Sequence, residues 1–103
     1  MSLGFGRVFT DHMLIATWTK ENGWGPLELQ KRANRSLDPA ASILHYGQML
    51  FDGFKAFLGK DGQMRVFRLD AHLKRLEGGA VRMVMPSIDV EKTRQGVLKL
   101  LQK

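Results

Sequence analysis

The sequence contains no cysteine, which excludes a disulfide framework and any thiolate metal site and fits a reducing, cytoplasmic setting. No apolar run approaches the ~20 residues that a bilayer-crossing helix requires. The opening residues Met1-Ser2-Leu3-Gly4 lack the basic-then-apolar pattern of a secretory signal. His12, His45 and His72 lie far apart and show no metal-ligand spacing. Internal repeats and low-complexity stretches are missing too. The chain also has no dense basic block: its net charge of +6, from 16 Lys+Arg against 10 Asp+Glu, is scattered along the whole length. Such an excess can serve a polyanion through counterion release. It can equally give solubility or face an acidic protein partner, and the scatter argues against nucleic acid.

What remains is enough for one domain, since 103 residues lie at the low end of the usual ~100–150. A hydrophobic share of 44% and a charged share of 25% are ordinary for a globular chain. Met13–Trp18, rich in apolar and β-branched residues, reads as a strand. The turn-forming cluster Glu21-Asn22-Gly23-Trp24-Gly25-Pro26 follows, and then a second strand over Leu27–Lys31. Asp38-Pro39 suits the opening of a short helix running through Tyr46. Gly53–Leu58 and Gln63–Phe67 flank Gly59-Lys60-Asp61-Gly62, where Asp-Gly signals a hairpin. Asp70 reads as the cap of a helix over Ala71–Met85, with Leu73, Leu76, Ala80 and Met83 facing the core and Pro86 ending it. Asp89 caps a last helix, Val90–Gln102, with Val97, Leu98 and Leu101 on its buried side. Strands come early and helices late, so the expected class is α+β. The last helix runs to Lys103 with no glycine stop or following proline, which reads as a truncation.

The Ala71–Met85 helix carries a second stripe. His72, Arg75, Gly79 and Arg82 recur three, four and three residues apart, on one face. A glycine within a basic stripe leaves room for a group to approach the backbone, and arginine offers phosphate a fork of donors. The plain alternative is a solvated basic face with incidental glycines.

The densest feature is Leu44-His45-Tyr46-Gly47-Gln48-Met49-Leu50-Phe51-Asp52-Gly53-Phe54-Lys55-Ala56-Phe57. It resembles a small-domain signature of branched-chain amino-acid aminotransferases, roughly L-H-Y-x-x-x-x-F-E-G-x-K-A-F. Leu3-Gly4-Phe5-Gly6-Arg7-Val8-Phe9-Thr10-Asp11-His12-Met13 resembles their amino-terminal signature. His72-Leu73-Lys74-Arg75-Leu76 and Ala80-Val81-Arg82-Met83-Val84-Met85-Pro86 resemble two further motifs, in the same order. Two departures stand out: Asp52 where the family usually has glutamate, and Gly79 in place of a common serine.

The resemblance implies a fold-type IV enzyme using pyridoxal 5'-phosphate, antiparallel strands with helices packed on one side, and a homodimer in the cytoplasm. It implies that Arg75 grips the cofactor phosphate and that Phe5, Phe51 and Tyr46 line the pocket for an aliphatic side chain. Unaided, the two phenylalanines read as core packing and Tyr46 as a buried ring with its hydroxyl bonded to backbone. The implied reaction, part of branched-chain amino-acid biosynthesis, exchanges an amino group between leucine, isoleucine or valine and 2-oxoglutarate. Residues 1–103 are then the small amino-terminal domain, and the cofactor-linked lysine belongs to a larger domain outside this sequence. No catalytic residue and no metal ligand is expected here, and the chain alone is expected to be inactive. Lys55, among aromatics, invites assignment as a nucleophilic amine, but its position in the motif implies an outward-facing charge. His72 and Arg82 are read as solvated. Rival readings are a D-amino-acid aminotransferase or aminodeoxychorismate lyase, a basic module binding nucleic acid or an acidic partner, and a truncated dimer partner.

Overall fold

The computed structural model describes residues 7–102. Four short strands come first: β1 (His12–Ile15), β2 (Trp18–Thr19), β3 (Gly23–Trp24) and β4 (Glu28–Lys31). β1 pairs antiparallel with β4, His12 opposite Lys31 and Leu14 opposite Leu29, while β2 pairs with β3 through Trp18 and Trp24. The two ladders form one long hairpin with a bulge. Three steps separate Gly25 from Glu28 on the return side, against two from Ile15 to Thr17 on the outgoing side. Pro26 sits in the longer side, where its missing N–H costs no ladder bond. Where one strand was expected over Met13–Trp18 the structure thus has two, and the turn-forming cluster contributes a strand of its own. Gly23 takes φ +69°, closing the tip in a left-handed conformation that glycine adopts freely.

Asp38 caps a turn, its Oδ1 accepting from the Ala40 N–H at 2.7 Å, and the helix α1 (Ser42–His45) begins only after Ala41. The expected hairpin is present: β5 (Ala56–Leu58) pairs with β6 (Met64–Val66), turned at Gly62 with φ +80°. α2 (Leu69–Arg82) begins before Asp70, which lies in its first turn rather than at its cap; Arg68 occupies the cap with φ 55°. The helix also stops short of Pro86. Val84 takes φ 55°, and the N–H groups of Val84 and Met85 bond back to the Val81 and Ala80 carbonyls at 3.2 and 2.8 Å, a Schellman ending. α3 (Val90–Leu100) has the expected cap, Asp89 accepting from the Lys92 N–H at 3.0 Å.

Helix α3 lies against β1 and α2 packs on α3. The contact face of α3 is the expected one only in part, Val97 and Leu101 being half-buried. Gly96 is its buried residue, set under Leu14 and Leu27, and Leu98 is exposed. On α2, Leu73 and Ala80 are buried as expected and Leu69 joins them, whereas Met83 is exposed. These three form the whole buried apolar set among the described residues. The architecture is α+β, with three antiparallel two-stranded ladders, two of them in the long hairpin and the third in the β5–β6 hairpin. Among the described residues no helix is long and apolar enough to cross a membrane.

Candidate functional site

The Leu44–Phe57 signature folds as a strap laid along α2. Residues 48–54 have no regular secondary structure and run antiparallel to the helix. Gln48 Nε2 donates to the Met83 carbonyl at 3.1 Å. The Leu50 side chain lies over Gly79, where a Cβ would sit 3.2 Å from Leu50 Cδ2. Asp52 meets Arg75 and His72, and the Phe54 ring lies 5.7 Å from the His72 ring, tilted 42°. Contacts recur every second residue on the strap and every third or fourth on the helix. The spacing works because two extended residues span about 6.6 Å and four helical ones about 6 Å. Gln48 also satisfies one of the carbonyls that a helix end leaves unpaired.

Arg75 is the pivot. Its Nε donates to Asp52 Oδ2 at 2.8 Å and its Nη2 donates to Asp52 Oδ1, a two-pronged pair. Nη2 also lies 3.1 Å from His72 Nδ1, which in turn is 3.5 Å from Asp52 Oδ1. The Asp52 side chain is 8% exposed and that of Arg75 is 67% exposed, so the carboxylate is covered while the guanidinium reaches solvent. The Arg75 hydrogen bond is the main cause that lowers the Asp52 pKa to about 2, its charge and the bond from His72 adding and desolvation opposing. The same pair raises the pKa of Arg75.

Of the stripe expected on α2, His72 and Arg75 do converge, and His72 is a half-buried member of the cluster rather than a solvated one. Gly79 makes room for Leu50, which occupies the space that the sequence suggested for an approaching phosphate. Arg82 is exposed, as is Lys55. Tyr46, which ends α1, is 85% exposed and Phe51 is 81% exposed, so neither is a core residue. A side chain at Gly53 would begin 3.7 Å from the edge of the Phe51 ring, an ordinary contact. Phe5 lies outside the described residues. A cleft of about 700 Å³ lies elsewhere, between the long hairpin and α3, and holds none of these residues. No group of three or more His, Asp or Glu able to hold a metal occurs among the described residues.

Sequence reasoning treated Asp52 only as a shortened glutamate and missed its partnership with Arg75. A signal was present: Asp52 is the single carboxylate in the signature, and His72 and Arg75 stand one turn apart on α2. The arrangement can hold an anion. Asp52 engages the Nε–Nη2 edge of the guanidinium, while Nη1 has no hydrogen-bond partner among the described residues. With Nη2 shared between Asp52 Oδ1 and His72 Nδ1, the donor left for an anion is Nη1, a charge-assisted N–H that a phosphate oxygen can accept from.

No protein-family model matches the chain. Curated relatives match nearly all of it. It is 48% identical over 101 residues to the cytosolic branched-chain-amino-acid aminotransferase of Rattus norvegicus, covering 98% of this chain and 25% of that protein. The cytosolic enzyme of Saccharomyces cerevisiae is 44% identical, with 98% and 27% covered. Branched-chain-amino-acid transaminase 1 of Bacillus subtilis is 39% identical, with 98% and 28% covered. Along nearly its whole length the chain is a homologue of branched-chain aminotransferases. It spans about a quarter of the length of these aminotransferases. Both cytosolic and mitochondrial forms are among them, a rat mitochondrial enzyme being 40% identical over 95% of the chain.

Proposed function

We propose that this chain is the small amino-terminal domain of a branched-chain amino-acid aminotransferase of fold type IV. The observation that carries the proposal is the 48% identity along 98% of the chain. The whole enzyme exchanges the amino group of leucine, isoleucine or valine with 2-oxoglutarate, as a homodimer in the cytoplasm; the cytosolic relatives support that location.

Pyridoxal 5'-phosphate, when bound, supplies the electron sink for the exchange. The part of this chain is binding. Arg75 takes the phosphate through its outward Nη1, which has no hydrogen-bond partner among the described residues. Tyr46 and Phe51, with Phe5, form one apolar wall against the substrate side chain. Rigid aromatic walls suit aliphatic substrates, because a pocket distinguishes them by only ~1–3 kcal/mol per methylene.

The exposure of these rings supports a domain made to be covered. A folded monomer of 11.7 kDa has about 5,900 Å² of accessible surface by the usual mass scaling, whereas this chain has 8890 Å². The excess is several times the ~800 Å² that each partner loses in a standard interface. The radius of gyration, 15.2 Å, also exceeds the ~13 Å of a compact 100-residue domain. A larger domain carrying the cofactor-linked lysine accounts for both.

The test is transamination of leucine with 2-oxoglutarate by the full-length protein that carries this sequence, against the 103-residue chain alone. Turnover is expected from the first and none above a no-protein control from the second. Absence of activity toward all three branched-chain substrates in the full-length protein refutes the reading.

A further inference from the structure

Resting on the reading that Arg75 holds a phosphate, we propose that Asp52 is a positioning residue for the cofactor. It grips the inner, Nε–Nη2 edge of the guanidinium, with His72 Nδ1 3.1 Å from Nη2, and presents the outward Nη1 amine as a preformed anion donor. Three observations support this. The pair is two-pronged, with Nε to Oδ2 at 2.8 Å and Nη2 to Oδ1, so it fixes the plane of the guanidinium as well as its distance. The exposure is one-sided: Asp52 is 8% exposed and Arg75 67% exposed, which places the carboxylate behind the guanidinium and leaves the front to solvent. Asp52 is itself anchored, because the strap that carries it is tied on either side by Leu50 over Gly79 and by Phe54 against the His72 ring.

Long arginine side chains lose much rotamer freedom on binding, and a guanidinium already held in its binding orientation loses less. The opposite effect also has a physical basis, since Asp52 places a negative charge close to an incoming dianion. The two effects have opposite signs, and a deletion decides between them.

The experiment compares equilibrium affinity of the full-length apoprotein for pyridoxal 5'-phosphate and for pyridoxal, which lacks the phosphate, by absorbance or fluorescence titration. The ratio of the two dissociation constants isolates the phosphate contribution, and no turnover is involved. In Asp52→Ala we expect the preference for the phosphorylated form to fall by about tenfold, the lower end of what losing an outer partner costs a metal ligand, with pyridoxal affinity unchanged. Asp52→Glu, which keeps a carboxylate fork, is expected to restore most of the preference. If Asp52→Ala does not fold, the isosteric Asp52→Asn carries the test, with a fall of the same sign. An unchanged or increased preference overturns the proposal, because Asp52 is then a bystander or a competitor. Arg75→Ala separates this from the reading beneath it: that variant loses the preference if Arg75 holds the phosphate and keeps it if the site assignment itself is wrong, in which case the positioning role falls with it.

Discussion

Gly78 and Gly79 are neighbours inside one helix but differ in what a side chain would meet, and the difference tests whether the strap lies where the structure puts it. A Cβ at Gly78 meets nothing within 4 Å, whereas one at Gly79 lies 3.2 Å from Leu50 Cδ2 and 3.5 Å from Cδ1. Alanine in a helix interior is favoured over glycine by about 1 kcal/mol. Gly78→Ala is therefore expected to stabilise the protein by about that amount, equivalent to roughly 4–8 °C in Tm for a domain of this size. At Gly79 the same gain is opposed by crowding against the Leu50 methyls, and overpacking costs about 1–3 kcal/mol when neighbours cannot fully relax. Leu50 is half-buried and can yield partly, so the low end applies and Gly79→Ala comes out near zero. Combining Gly79→Ala with Leu50→Ala removes the crowding, and relative to Leu50→Ala alone the glycine change then regains its full ~1 kcal/mol, a coupling typical of residues in contact. Urea unfolding of the four variants and the parent supplies every term. If Gly79→Ala stabilises the parent as much as Gly78→Ala does, Leu50 does not lie over the helix, and the strap arrangement is wrong.

Gly96→Val is expected to destabilise by about 2 kcal/mol or more, measured by urea unfolding, because even a bare Cβ there would lie 2.6 Å from Leu14 Cδ2 and 3.2 Å from Leu27 Cδ1; a neutral result refutes the docking of α3 on β1. Val84, 87% exposed at φ 55°, holds a left-handed conformation that costs an L-residue roughly 1–2 kcal/mol, so Val84→Gly is expected to raise stability by up to ~1 kcal/mol after the greater freedom of unfolded glycine is subtracted; a lower midpoint on thermal unfolding contradicts the Schellman ending. The Asp52 pKa of about 2 lies below the ordinary carboxylate value of ~4, so the pair with Arg75 stabilises above that ordinary value and fades as pH falls through about 4 towards about 2. The Arg75 Nε–H proton resonance, which follows the folded state, should move as pH falls towards about 2 in the parent and show no such step in Asp52→Asn.

Local rules carried the sequence reading where one residue decides the structure. The Asp89 cap, the Asp61-Gly62 hairpin and the strand expected over Leu27–Lys31, found at Glu28–Lys31, each depend on chemistry within a few positions, and each is present. The failures share a different cause. Asp70 looks like a helix cap, but a left-handed turn at Arg68 and the burial of Leu69 start α2 earlier, and a Schellman bond from Met85 to Ala80 ends it before Pro86. Leu98 sits at the right period for a core position, but α3 turns a glycine inward instead, because β1 approaches closely and only a residue without a side chain leaves Leu14 its place. Periodicity says which residues share a face; the partner decides which face is buried. The family motifs located the candidate site, and what they left out was the link between two of them, Asp52 in the signature and Arg75 in the helix, 23 residues on.

That link accounts for the composition of the signature. A strap that crosses a helix by alternate residues has two sets of side chains with different duties. Gln48, Leu50, Asp52 and Phe54 face α2 and fasten the strap at successive turns. Met49 and Phe51, in between, are 56% and 81% exposed and available to whatever covers this face. Mixing the sets would damage both: an apolar residue at 52 would leave Arg75 without a partner for its inner edge, and a charge at 51 would spoil the exposed apolar surface. The signature is therefore amphipathic with a period of two, its inward half holding an arginine for an anion and its outward half offering a hydrophobic surface beside it. Under the proposed function, a phosphate-bearing cofactor next to an aliphatic substrate is the combination of ligands that such a strap would serve at once.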